Sequence, residues 1–275
     1  MNIAYAGNKK VFKGILLSLL SIIKHSSDAL NVYVVTMDLK DMNPEYSPIT
    51  VKDCSILEAV VKNKNPQSKV ILLDATNIYL NTLSQNKNND TKYTPYSMIK
   101  LYLDEVDRIP DRLIYLDTDT MVLQDLKQID YLNIEDYELA AARENGKKTL
   151  FNSGVLFLNM KLIKQSGLFR RCRQLISSQK LNKPDQDALN KLTISVLYMD
   201  GVFNEQAKVR NNTVVRHFCG GMKMGLIPYS AKSWEVEKVR KQFKCSDFDD
   251  IYVQYEKINS RFGLDESIMP KSNTI

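Results

Sequence analysis

Residues Arg112 to Val122 read RLIYLDTDTMV, an apolar run that ends in two carboxylates, Asp117 and Asp119. Leu113, Ile114, Tyr115 and Leu116 form a continuous apolar segment, the pattern of a strand buried on both faces. In extended chain, residues two apart point to the same side with α-carbons about 6.5 to 7 Å apart. Both carboxylates can therefore turn toward one cation, while Thr118 between them faces the other way. Turn chemistry is an equal reading of this stretch alone, because Asp and Thr are common where a strand runs into a turn and bonds its own backbone. Partners elsewhere in the chain have to decide.

A chain of 275 residues suits one large domain, or one domain with an appendage, and is ample for a buried core. Its 44% hydrophobic and 25% charged residues are those of an ordinary globular protein. The net charge of +6 is compatible with phosphate-bearing ligands or an anionic membrane surface, and too diffuse to imply nucleic acid. No basic and aromatic interleaving of the kind used by single-strand binders is present. Cys54, Cys172, Cys219 and Cys245 form no C-x-x-C pair for zinc or thiol redox chemistry, and their wide spacing suits reduced thiols inside a cell. The opening MNIAYAGNKK lacks the long apolar core of a signal peptide, so the expected location is cytoplasmic. Val11 to Ile23 is apolar, but too short and too interrupted by Lys13 and two serines to span a bilayer.

Ile3 to Ala6 predicts a first strand, Gly7 and Asn8 a turn, Val11 to Lys24 a helix, and Asn31 to Thr36 a second strand. This β-α-β opening implies parallel strands joined by a right-handed crossover. A second cycle follows, with a helical stripe at Ile56, Leu57, Val60 and Val61 and a strand at Lys69 to Leu73. Asn81 to Lys92 reads as a loop, and Thr94 with Pro95 as the cap of a helix through about Asp107. After the acid pair, Glu138 to Ala142, Gly154 to Leu158, Val196 to Met199 and Thr213 to Val215 read as strands. Met160 to Ser178 reads as one amphipathic segment whose basic face, with Lys161, Lys164, Arg170, Arg171 and Arg173 and continued by Lys180, is either solvated surface or a contact for anionic lipid. Pro184 to Leu192 reads as a short helix with Asp185 and Asp187 in its first turn, where the helix dipole alone accounts for acids. No internal repeat is present.

Of the two histidines, His25 ends the first helix, where a cation favours the carbonyl end. His217 stands at a strand end, followed by Cys219, Gly220, Gly221 and Lys223. Glycines let backbone amides approach a ligand closely, and a lysine supplies a point charge for phosphate. Two carboxylates and one imidazole suit a hard or borderline divalent ion, Mn²⁺ or Mg²⁺ rather than zinc, with positions left for phosphate oxygens. No Ser-His-Asp or Cys-His grouping is evident, so attack is left to another molecule.

Taken in order, IYLDTDTMV, FNSGVLFLN, PDQDALN and HFCGGMK resemble the family 8 retaining glycosyltransferases, which include bacterial lipopolysaccharide galactosyltransferases and glycogenin. The resemblance covers residues 1 to about 225. It implies an α/β protein of the GT-A fold, with a Rossmann-like, mostly parallel twisted sheet flanked by helices over residues 1–230; beyond it, EVEKVRKQFKC after Trp234 reads as part of a short, charged helical tail over 231–275. It also implies a UDP-sugar donor and a glycan, glycolipid or glycoprotein acceptor, with glucose or galactose transferred by a Mn²⁺-dependent reaction that retains configuration. By the same resemblance, Asp117, Asp119 and His217 are the metal ligands, Thr118 lies with them at the donor, and Gly220 and Lys223 hold the diphosphate. Asn152, with Ser153, matches the N-[AS]-G motif at the donor sugar, and Asp185 and Gln186 match the D-Q pair beside it. Ala6 and Asn8 end the first strand at the nucleotide. Gln186 lies where a nucleophile is sought, but an amide is a poor one, so front-face attack is the expected mechanism.

The chain departs from the family in several places. Where members often carry an acidic pair after the first strand, it has Asn8, Lys9 and Lys10, and the Asn8 amide offers both donor and acceptor to uracil. The cation expected two residues after Tyr96 is Met98, with Lys100 nearby. Where the glycine-lysine motif usually continues into Pro-Trp, it reads Met224, Gly225. Two rival readings remain. A haloacid dehalogenase type phosphatase has the hallmark D-x-D-x-[TV], which fails here at Met121 and normally opens its domain. A sugar-nucleotide-binding partner protein that has lost transfer is motivated by Met98 and Met224. No P-loop or G-x-G-x-x-G motif is present.

Overall fold

The computed structural model describes residues 1–89, 94–223, 227–229, 231–243, 246–264 and 267–269, with backbone alone at 221–223, 227–229 and 243. In chain order, strand β1 (Asn2–Ala6), helix α1 (Phe12–His25), β2 (Asn31–Thr36), α2 (Val51–Lys64) and β3 (Lys69–Asp74) follow the expected alternation, and α3 (Thr76–Thr82) is a helix that the sequence reading did not include. The acid pair lies between β4 (Arg112–Leu116) and β5 (Thr120–Val122). Then come α4 (Lys127–Asp130), β6 (Leu139–Arg143), β7 (Phe151–Asn159), α5 (Met160–Ser166), α6 (Leu168–Ser178), α7 (Pro184–Leu192) and β8 (Val196–Met199). The chain continues through β9 (Val215–His217), β10 (Gly221–Lys223), β11 (Ile227–Tyr229), α8 (Val236–Phe243) and α9 (Asp249–Phe262).

Among the described residues, seven strands form one sheet in the order β3-β2-β1-β4-β7-β6-β8. Only β7 runs against the others. Alternation sorts side chains to two cores: Ile3, Tyr5, Ile114 and Leu116 pack with α1 and α2, while Ala4, Ala6, Leu113 and Tyr115 pack on the opposite face. Strand order reverses between β1 and β4, which leaves a crevice at their carboxyl ends, where open α/β sheets bind ligands. Gly7, Asn8 and Asp117 lie there. Because β7 is antiparallel, its beginning lies beside the end of β4, with Leu116 opposite Val155 and the Asp117 amide donating to Gly154 O at 2.7 Å.

The two serines that interrupt the apolar first helix fasten it to the site. Ser21 Oγ accepts from the Val122 amide at 2.8 Å, and Ser18 Oγ lies 3.3 Å from Thr120 Oγ1 and 2.8 Å from the Tyr5 hydroxyl. Gly14, Ser18 and Ser21 share one helix face. A Cβ at Gly14 would overlap Thr118 O and the Trp234 ring.

Several boundaries differ from the sequence reading. Pro95–Tyr102 is a 3-10 helix, and the chain turns before Asp107; side chains from Tyr96 to Tyr102 apart from Ser97 are buried, so its path follows the core rather than helical periodicity. The segment Met160 to Ser178 breaks at Gly167, which takes φ 65 between α5 and α6. Its basic face is not uniform: Lys161, Lys164, Arg170 and Lys180 are exposed, but Arg173 is buried against Asp104, Glu105 and Leu101 O. β7 begins at Phe151, so Asn152 and Ser153 are strand residues. The strand expected at Thr213 to Val215 is Val215–His217. Beyond residue 230, Val236, Val239, Ile251, Tyr252 and Tyr255 are buried in the same core as α1. No helix among the described residues is long and apolar enough to cross a membrane.

Candidate functional site

Antiparallel pairing of β5 with β9 sets Thr120 opposite His217, and the Phe218 amide donates to Asp119 O at 2.9 Å. This pairing brings the imidazole to the acid pair. His217 Nε2 lies 3.3 Å from Asp119 Oδ1 and 3.6 Å from Asp117 Oδ2, and the potential ligand atoms of all three residues lie within 4.8 Å of one another. The ring fits under Gly154, where any Cβ would overlap it.

The hydrogen bonds identify which nitrogen faces the acids. A backbone N–H can only donate, so the Gly154 amide, 2.9 Å from Asn152 Oδ1, fixes that atom as the oxygen. Asn204 Nδ2 donates to the same oxygen at 2.9 Å, which leaves Asn204 Oδ1 facing His217 Nδ1 at 3.0 Å. Nδ1 therefore carries a proton. A neutral ring would aim its Nε2 lone pair at two carboxylates, so the arrangement calls for positive charge between them. Two hard oxygens and one imidazole suit Mn²⁺ or Mg²⁺, for which neighbouring ligands of an octahedral ion stand about 3 Å apart.

Two lysines supply charge around the acids. Lys100 is 3% exposed; its Nζ lies 3.2 Å from Asp117 Oδ1, 2.9 Å from Asp185 Oδ2, 3.0 Å from Ser153 O and 4.5 Å from the centre of the Tyr115 ring. Burial lowers the pKa of its ammonium, but Asp117 and Asp185 outweigh burial and raise it. The Tyr115 hydroxyl donates to Asp117 Oδ1 at 2.9 Å, and burial and that carboxylate raise its pKa far above the usual phenol value. Lys232 Nζ lies 2.6 Å from Asp119 Oδ2. Burial would raise the Asp119 carboxyl, but His217 and Lys232 hold it well below the usual carboxylate range.

On the other side of the acids, Asn152, Ser153, Asp185 and Gln186 converge, all buried. Ser153 Oγ donates to Asp185 Oδ2 at 2.9 Å, and the Ser153 amide to Gln186 Oε1 at 3.2 Å. Glu144 closes this side, accepting from Asn152 Nδ2 at 2.8 Å, Gln186 Nε2 at 3.0 Å and Lys183 Nζ at 2.7 Å. Its carboxyl is held below the usual value: burial raises it, and Lys183 and Asn152 more than offset that.

The remaining candidates are less closely joined. Ala6 and Asn8 are buried at the end of β1. Lys9 and Lys10, in place of the family's acids, pair with Asp53 and Glu45. Thr118 is half-buried, its carbonyl against α1. Gly220 is exposed after β9, and Lys223 is described by its β10 backbone alone. Met224 and Gly225 lie outside the described residues. His25 is remote, and burial and then Lys24 lower its pKa.

Glu144, Asn204, Lys183, Tyr115 and Lys232 were not found from sequence. Lys232 carried a signal: the tryptophan expected two residues after the motif lysine stands two residues after Lys232, at Trp234, with the β10–β11 hairpin between Gly220 and that Lys-Ser-Trp. Tyr115 lies inside the first motif but read there only as a strand residue, and Glu144, Asn204 and Lys183 belong to no motif.

A sequence profile described as glycosyl transferase family 8 matches residues 2–224. The chain belongs to glycosyltransferase family 8. Among similar proteins, one from Haemophilus influenzae named as a candidate glycosyltransferase is 24% identical over 255 residues, 81% of this chain and 72% of its own length. General stress protein A of Bacillus subtilis is 24% identical over 184 residues, 54% of this chain and 63% of its own. Of solved structures, the galactosyltransferase LgtC in complex with donor and acceptor sugar analogs superposes with a TM-score of 0.63 at 15% identity, covering 94% of this chain and 96% of LgtC. Streptococcus pneumoniae GlyE superposes at 0.61 and 17% identity, over all of this chain and 66% of GlyE. At these identities the likeness is one of fold, and that fold is GT-A. It leaves the phosphatase reading without support.

Proposed function

We propose that this family 8 member transfers a hexose, glucose or galactose, from a UDP-sugar to a hydroxyl of a glycan, glycolipid or glycoprotein acceptor, with retention of configuration and the help of Mn²⁺ or Mg²⁺. The observation that carries the reading is the convergence of Asp117, Asp119 and His217 beside Asn152, Asp185 and Gln186 at one sheet crevice. Bound by the two acids and His217 Nε2, a divalent ion supplies Lewis-acid neutralisation of the diphosphate leaving group. Lys232, next to Asp119 Oδ2 and partly exposed, is placed to share that charge, a role first given to Lys223.

Asn8 and Ala6 mark the nucleotide end of the crevice, and Asn152, Asp185 and Gln186 the sugar end. The Gln186 amide is engaged on both sides, its oxygen by the Ser153 amide and its nitrogen by Glu144, which favours an orienting role over nucleophilic attack. In front-face transfer the acceptor oxygen bonds to the anomeric carbon as the carbon–phosphate oxygen bond breaks. The acceptor's proton passes to the departing diphosphate oxygen. Lys100 and Lys232 provide cations at the site despite Met98 and Met224, which weakens the case for a partner protein without activity. The exposed Lys161, Lys164, Arg170 and Lys180 are the residues that would meet an anionic membrane carrying a glycolipid acceptor at the cytoplasmic face.

Incubation with Mn²⁺ and a panel of nucleotide sugars, following release of the nucleoside diphosphate, tests the reading. UDP-glucose or UDP-galactose should be consumed, and activity should be lost with EDTA or in Asp119→Ala. Silence with every donor, or activity indifferent to both treatments, contradicts it.

A further inference from the structure

Glu144 follows the end of β6, away from the acid pair, and lies in none of the four motifs. Its two oxygens nevertheless organise the sugar end of the site. Oε2 accepts from both Asn152 Nδ2 and Gln186 Nε2, while Oε1 takes Lys183. Each of those amides is held at its other end by a backbone N–H, Gly154 for Asn152 and Ser153 for Gln186. Neither can flip without setting donor against donor. The Asn152 oxygen then orients Asn204, and Asn204 orients His217 Nδ1. All these groups but Glu144 and Lys183 are nine-tenths or more buried, so water is a poor substitute for a missing partner.

We infer that Glu144 is a positioning residue: it orders the Asn152 and Gln186 amides together and, through Asn152 and Asn204, sets His217 to present Nε2 to a cation. This rests on the proposed metal role of Asp117, Asp119 and His217. Outer-shell hydrogen bonds of this kind fix the tautomer and direction of a ligating imidazole. Without the carboxylate, two buried NH₂ groups lose their acceptor, and Asn152 turns toward whatever acceptor remains, withdrawing its oxygen from Asn204. Lys183 is a minor partner, since its side chain is 40% exposed and can swing into water.

The test is calorimetric titration of Mn²⁺ into the whole protein and three variants, each checked for cooperative thermal unfolding. Glu144→Met keeps the volume but offers no strong acceptor, and should bind Mn²⁺ about tenfold more weakly, the low end for lost outer-shell partners. Glu144→Ala should do the same. Glu144→Gln should recover near-native affinity, because one amide oxygen can accept from both Asn152 and Gln186 while its NH₂ turns toward the site vacated by Lys183. Equal binding by Glu144→Met and native protein, or Glu144→Gln as weak as Glu144→Met, overturns the inference. Native protein that binds no Mn²⁺ overturns the metal reading itself, so the two failures are distinct.

Discussion

Lys232 reaches Asp119 from a segment that the glycine-lysine motif does not include, and with Lys100 it brackets the acid pair with positive charge. A charge-assisted hydrogen bond contributes about 1.5 to 3 kcal/mol. Lys232→Ala is therefore expected to weaken UDP binding in the presence of Mn²⁺ about tenfold, and Lys223→Ala to do less, measured by calorimetry. The reverse order would return the diphosphate role to Lys223. Asp117, Asp119, His217, Asn152, Asp185 and Gln186 were legible in the sequence because each sits in a short motif whose spacing survives without the fold. Glu144 and Asn204 were not, since an acid after a strand and an asparagine in a 3-10 turn acquire meaning only through contacts with residues far along the chain. Lys232 fell between, its motif divided by a hairpin.

Among the elements, those set by local pattern were readable and those set by neighbours were not. The opening strands and α1 follow their hydrophobic period, and the serines of α1, which look like interruptions, are the residues that fasten it to β5. The segment from Pro95 to Tyr102 was expected to be α-helical. It is instead a 3-10 helix that turns Lys100 inward, beneath Asp117 and Asp185. Helix α6 braces it: Arg173 bonds Leu101 O and pairs with Asp104 at 2.6 Å, both side chains more than nine-tenths buried. Removing one member of a buried pair costs about 3 to 5 kcal/mol. Arg173→Met should lower stability to urea by that order, with unfolding still cooperative. A change below about 0.5 kcal/mol, the level of an ordinary surface substitution, would mean that this pair does not brace the segment.

At the scale of the molecule, alternation of strands and helices pointed to a parallel α/β sheet, and the family match with the GT-A superpositions agrees. The antiparallel insertion of β7 was beyond that reasoning, because a buried strand reads the same in either direction; yet that reversal brings Asn152 and Ser153 beside Asp117. Likewise, only β9 pairing on β5 brings His217 to the acids. In the proposed function these acids and His217 hold a divalent ion through which a UDP-sugar binds. The most direct test is UDP titration into the protein with Mn²⁺ and again with EDTA, for native protein and for Asp119→Ala. Native protein should bind UDP with Mn²⁺, lose that binding on chelation, and show none in Asp119→Ala. UDP binding of equal strength with and without the metal, or none under either condition, would contradict it.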